Sequence, residues 1–136
     1  MVVSSQSRVV FAVPVDLSHG SVVRQTVRRL MEETEFPEDM VDDVILALGE
    51  AFANAVVHGS GSRFEQVGFS VWAEKQGLVI ELRYPGEPFD TRPPAVPDLE
   101  QLTGRGRFLM NSLMNSVTYD FPAGETILRM EKTWSA

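Results

Sequence analysis

Three polar residues in this 136-residue chain, Glu50, Asn54 and His58, have types and spacing that can do chemistry together. They recur at i, i+4 and i+8, so on a helix they make a single ridge. A carboxylate half-shielded from water can serve as a general base, and an amide oxygen can ligate a hard cation. Their flanks are Leu46, Ala47, Ala53 and Val57. A solvated helix face rarely alternates alanine and valine with so few charges, so the ridge reads as one wall of a pocket. The plainer alternative is a polar stripe in water, with His58 favoured by the negative end of the helix dipole.

A second constellation follows about fifty residues on, in Thr103-Gly104-Arg105-Gly106-Arg107. Two glycines at a helix start let backbone N–H groups approach an anion, and the dipole adds attraction for phosphate. Arg105 and Arg107 either add charge toward a phosphate or are solvated. Alone, G-x-G is an ordinary loop-to-helix turn, and it gains weight only beside the Glu50 ridge.

The elements that must position these groups follow from periodicity. Val9 to Val13 is short and β-branched and suits a strand. Asp16 or Ser18 can cap a helix running to about Glu35, with Val22, Val23, Val27, Leu30 and Met31 at helical spacing. Pro37, followed by Glu38 and Asp39, opens a second helix that runs to His58 and stops at Gly59. At 1.5 Å per residue that helix is about 33 Å long. Its core stripe is Val41, Val44, Ile45, Leu48, Phe52 and Ala55, with the Glu50 ridge on the opposite side. Val67, Phe69, Val71 and Ala73 then alternate as a strand, Gln76-Gly77 marks a tight turn, and Val79 to Arg83 is the partner strand.

Five of the eight prolines lie between Pro85 and Pro97, which no regular element survives. A loop this long in a small domain is usually functional. A third helix starts near Gly104 to Gly106 and carries Leu109, Met110, Leu113 and Met114. Val117 to Phe121, a turn at Pro122-Ala-Gly, and Thr126 to Glu131 form a closing hairpin. The order β-α-α-β-β-loop-α-β-β implies an α+β fold: a two-layer α/β sandwich with a mixed, mostly antiparallel sheet and three helices on one face.

Composition bounds the partners. The length suits one domain, residues 1–136, with 43% hydrophobic and 23% charged residues. A net charge of −7 argues against a nucleic-acid backbone or an anionic membrane as partner, despite Arg24, Arg28 and Arg29 on the first helix. The absence of cysteine excludes disulfides and thiolate chemistry, and two histidines make a poor basis for a histidine-rich metal site. There is no G-x-S-x-G elbow for a serine hydrolase. No apolar run approaches the roughly 18 residues of a membrane span, and no signal-peptide core opens the sequence. A soluble cytoplasmic protein is expected.

Read together, these motifs resemble the GHKL (Bergerat-fold) ATPase superfamily of histidine kinases, gyrase and Hsp90. Within it the chain is most similar to the small bacterial anti-sigma-factor serine/threonine kinases of the sporulation and stress-response type. Glu50-Ala-Phe-Ala-Asn54-Ala-Val-Val-His58 matches the family's N-box, E-x-x-x-N-A-x-x-H. Gly104-Arg105-Gly106 and Gly124-Glu-Thr126 match two later boxes in order. The resemblance implies a Bergerat fold that binds ATP with Mg²⁺. Glu50 would activate the attacking hydroxyl, Asn54 would hold the Mg²⁺, and His58 would line the phosphate end. Gly104 and Gly106 would sit in an ATP lid spanning 85–103 and its exit, and Thr126 would contact the adenine side. It further implies phosphorylation of a STAS-type anti-sigma-factor antagonist, sequestration of a sigma factor, and a homodimer. Phosphoryl transfer is mostly positioning and charge neutralisation, so these few groups suffice for it.

One box departs from the family. Its D-x-G-x-G motif carries an aspartate that accepts a hydrogen bond from the adenine amine, and this chain has Tyr84-Pro85-Gly86-Glu87-Pro88. Only Gly86 matches. Loss of a charged hydrogen bond is worth about 1.5–3 kcal/mol, or one to two decades of affinity. Tyr84 then has three readings: it stacks on the base, its ring fills the adenine site, or it covers the core as a strand-end aromatic. A degenerate, non-catalytic Bergerat module that only binds protein is the rival to the kinase.

Overall fold

The computed structural model describes residues 8–58, 65–86, 88 and 105–134, the side chains of 105–107 aside. Five strands and three helices follow in the expected order: β1 (Arg8–Pro14), α1 (Gly20–Glu32), α2 (Val41–His58), β2 (Gln66–Glu74), β3 (Gly77–Pro85), α3 (Arg105–Leu113), β4 (Ser116–Asp120) and β5 (Glu125–Thr133). The sheet runs β1-β2-β3-β5-β4, and all four pairings are antiparallel. Among the described residues no helix is long and apolar enough to cross a membrane.

The strands alternate as a one-sided sheet requires. Val67, Phe69 and Val71 of β2, Leu78, Ile80, Leu82 and Tyr84 of β3, and Leu128 and Met130 of β5 form a continuous core with the helices. All six residues of the expected α2 stripe are buried in that core. From α1 come Val23, Val27, Leu30 and Met31, whereas Val22 is half exposed and does not belong to the buried stripe.

The helix ends have local causes. Asp16 caps a short 3₁₀ turn, Leu17–His19, that leads into α1, its carboxylate accepting from the Ser18 N–H at 2.9 Å. This bond holds the Asp16 carboxyl below its ordinary value. α1 ends at Glu32, three residues before the expected limit. Thr34 donates to the Met31 carbonyl and accepts from the Phe36 N–H, which turns the chain so that Phe36 can go inward. Phe36 then meets Trp134 edge-on, with ring centroids 4.9 Å apart. The β2–β3 turn falls on Lys75 and Gln76, one residue earlier than expected. Glu74 pairs with Gly77, and Gln76 takes the left-handed conformation at φ 57°.

Candidate functional site

α2 sets the direction of every group on its ridge. Four residues of α-helix turn about 400°, so each step from Glu50 to Asn54 to His58 rotates the ridge by about 40°. The ridge therefore winds from the side facing away from the sheet toward the flank held by α3. Lys132 of β5 fixes that flank: its ammonium donates to the Leu113 carbonyl at the end of α3 and lies 4.0 Å from the Asp43 carboxylate of α2. Glu50 and Asn54 are half-buried and His58 is exposed. Among the described residues, the side chains of Glu50 and Asn54 have no hydrogen bond or ion pair.

The flanks of the ridge differ from the sequence expectation. Leu46 and Val57 are 47% and 70% exposed, so that part of the wall is open surface. Ala47, placed by periodicity on the same back face, is wholly buried, as is Ala51. Both lie on the α3 flank, where helix–helix packing takes only a small side chain. Glu50 also borders a groove between α1 and α2, together with Arg24, Asp42, Ile45, Leu46 and Gly49.

The second part of the site forms where α2 ends and β3 meets β5. Tyr84 is directly opposite Thr126 in the β3–β5 register, and the Gly86 N–H donates to the Gly124 carbonyl at 3.2 Å. Gly124 sits at φ 74°, which turns the chain back into β5. Gly86 is wedged among the site residues: a Cβ there would lie 3.1 Å from the His58 carbonyl oxygen, 3.4 Å from the Thr126 hydroxyl and 3.8 Å from the Tyr84 ring. Glycine is what lets the end of α2 approach this strand end. The structure thus brings His58, Tyr84, Gly86 and Thr126 into one cluster.

Thr126 is fully buried, and its hydroxyl has no hydrogen-bond partner. Tyr84 is 2% exposed and belongs to the core, because β3 extends to Pro85 and keeps residue 84 in phase with Leu82. Burial, reinforced by the nearby Tyr119, pushes the Tyr84 phenol well above its ordinary range, so it is neutral at any physiological pH. Of the remaining expected residues, Arg105 and Gly106 open α3. Gly104 and most of the 85–103 segment lie outside the described residues; within it Pro85 closes β3 and Pro88 is exposed. Sequence reasoning missed Lys132. It shares the inward phase of Leu128 and Met130, and a lysine ending such an alternation was the available signal.

Fold and site together define a histidine kinase-like ATPase domain: residues 13–132 match that family, and the chain belongs to it. An anti-sigma F factor of Clostridium acetobutylicum is 28% identical over 123 residues, covering 85% of each chain. Two solved structures share the fold. One contains the RsbU and RsbW domains of Rv1364c from Mycobacterium tuberculosis, with a TM-score of 0.71 at 14% identity over 94% of this chain. This chain spans 32% of that one. The other is the SiaB–SiaC complex from Pseudomonas aeruginosa, with a TM-score of 0.63 at 13% identity, covering 93% of this chain and 89% of that one.

The family implies ATP and magnesium, and the two ends of the site fit them differently. A carboxylate and an amide oxygen one turn apart, without partners among the described residues, are the kind of hard-oxygen donors that a hydrated magnesium ion takes. The cluster around Gly86, where the resemblance would put the base, is closed: Tyr84 and Thr126 are both buried by the protein's own atoms.

Proposed function

We propose that this protein is an anti-sigma regulatory factor that binds Mg²⁺ with ATP and phosphorylates a serine or threonine of an anti-sigma-factor antagonist. Phosphorylation of the antagonist would leave the protein free to hold a sigma factor. The observation that carries the reading is the half-buried pair Glu50 and Asn54, one helical turn apart on α2 and without a side-chain partner among the described residues. The likeness to an anti-sigma F factor over most of both chains supports the partner class.

The bound nucleotide would supply the phosphoryl group. In this chain the half-buried Glu50 carboxylate would take the proton of an incoming hydroxyl. The Asn54 amide oxygen would be the neutral ligand that holds the cation. His58 follows on the same ridge at the C-terminal end of α2 and would line the phosphate end. Transfer of radiolabel from ATP to a co-expressed antagonist tests the assignment. The wild type should label the antagonist, and Glu50→Ala should lose at least two decades of rate. Equal labelling by the variant would remove Glu50 from the role.

The burial of Tyr84, with an exposed Pro88 just beyond it, favours a second reading. There the domain holds its protein partner without catalysis. Co-purification of wild type with the antagonist, with no label transferred at any magnesium concentration, would establish that alternative over the kinase.

A further inference from the structure

We infer that the site recognises its phosphoryl donor by the polyphosphate chain and not by the base, because Tyr84 stands in the base slot. The inference rests on the reading that α2 binds a magnesium–polyphosphate, and it adds which donors the site accepts.

The slot is defined by what converges on Gly86. The His58 carbonyl, the Thr126 hydroxyl and the Tyr84 ring all lie within 4 Å of the place a Cβ would take there. An unpartnered, fully buried hydroxyl is rare in a native interior, where nearly all such groups find a partner. It is the kind of group a heterocycle edge would satisfy, yet it is sealed from solvent, and the Tyr84 ring that shares the Gly86 cluster is itself 2% exposed. The ring has little freedom to leave. It packs within the same core as Leu82 and Leu128, and swinging it out would open a cavity of its own volume.

Charge works in the same direction. A carboxylate at this place would favour an amine on the base and repel a carbonyl, separating adenine from guanine. A neutral phenol can donate or accept, so it makes no such distinction. The donor groups on α2 are meanwhile accessible, with Glu50 and Asn54 half-buried. The polyphosphate end is open while the base end is shut.

The expected behaviour is that MgATP, MgGTP and Mg-tripolyphosphate bind the wild-type chain with affinities within about threefold of one another. Replacing the ring by a small hydroxyl, Tyr84→Ser, should raise MgATP affinity about tenfold, as the slot opens and Thr126 becomes reachable. Mg-tripolyphosphate should show no matching rise. Calorimetric or competition titrations read all of these, with a thermal melt confirming that the variant is folded. The wild-type comparison decides even if the variant is not. Wild-type preference for MgATP over Mg-tripolyphosphate by more than tenfold would overturn the inference and leave the proposed function standing. Failure of all three ligands to bind the wild type would overturn both.

Discussion

The Thr126 hydroxyl is buried without a partner, and that condition has a measurable cost. Leaving a buried hydroxyl unpaired costs about 1–3 kcal/mol, whereas an apolar group of the same shape pays nothing. Thr126→Val should therefore stabilise the ligand-free protein by about 1 kcal/mol in urea denaturation, helped by the strand preference of valine. A loss of stability would mean that the hydroxyl has a partner in solution. The ridge of Glu50, Asn54 and His58 was legible in the sequence because i, i+4 spacing on a helix fixes which side chains line up. The state of Tyr84 was not. Its orientation depends on β3 running through to Pro85, two residues past the Arg83 end that the alternation suggested, which puts the ring in phase with Leu82 and inside.

At the scale of elements, the periodicity of α2 gave its core stripe correctly, but an angle on a helix does not say what lies beyond it. Ala47 points away from the sheet and is still wholly buried, because α3 packs against that flank. The contact separates two outcomes for Ala47→Leu. Against α3 the added bulk should cost about 1–3 kcal/mol, whereas on a solvated face the change would lie within about 0.5 kcal/mol. Chemical denaturation measures the difference. The same packing connects structure to function, since α3 begins at Arg105-Gly106 and leans on the helix that carries Glu50 and Asn54. Lys132, bonded to the end of α3 and close to Asp43, holds that arrangement from the sheet side. Its inward phase on β5 was the one signal in the sequence, but a strand lysine is ordinarily solvated, and only the three-dimensional meeting of α2, α3 and β5 gives it partners.

Over the whole molecule, the antiparallel sheet and the three helices were readable from the order of elements, since hairpins and helical stripes leave few ways to bury one core. Charge is the other property of the whole. With a formal net charge of −7 the chain as a whole disfavours an anionic ligand, so the proposed polyphosphate binding is expected to need a bridging cation. Titration of the wild type with ATP in magnesium, in EDTA, and against Asn54→Ala in magnesium tests the central claim most directly. The account predicts saturable heat for the wild type with magnesium at or below millimolar nucleotide, and none in EDTA or with Asn54→Ala. Undiminished binding by the variant, or no heat from the wild type under any condition, would contradict it.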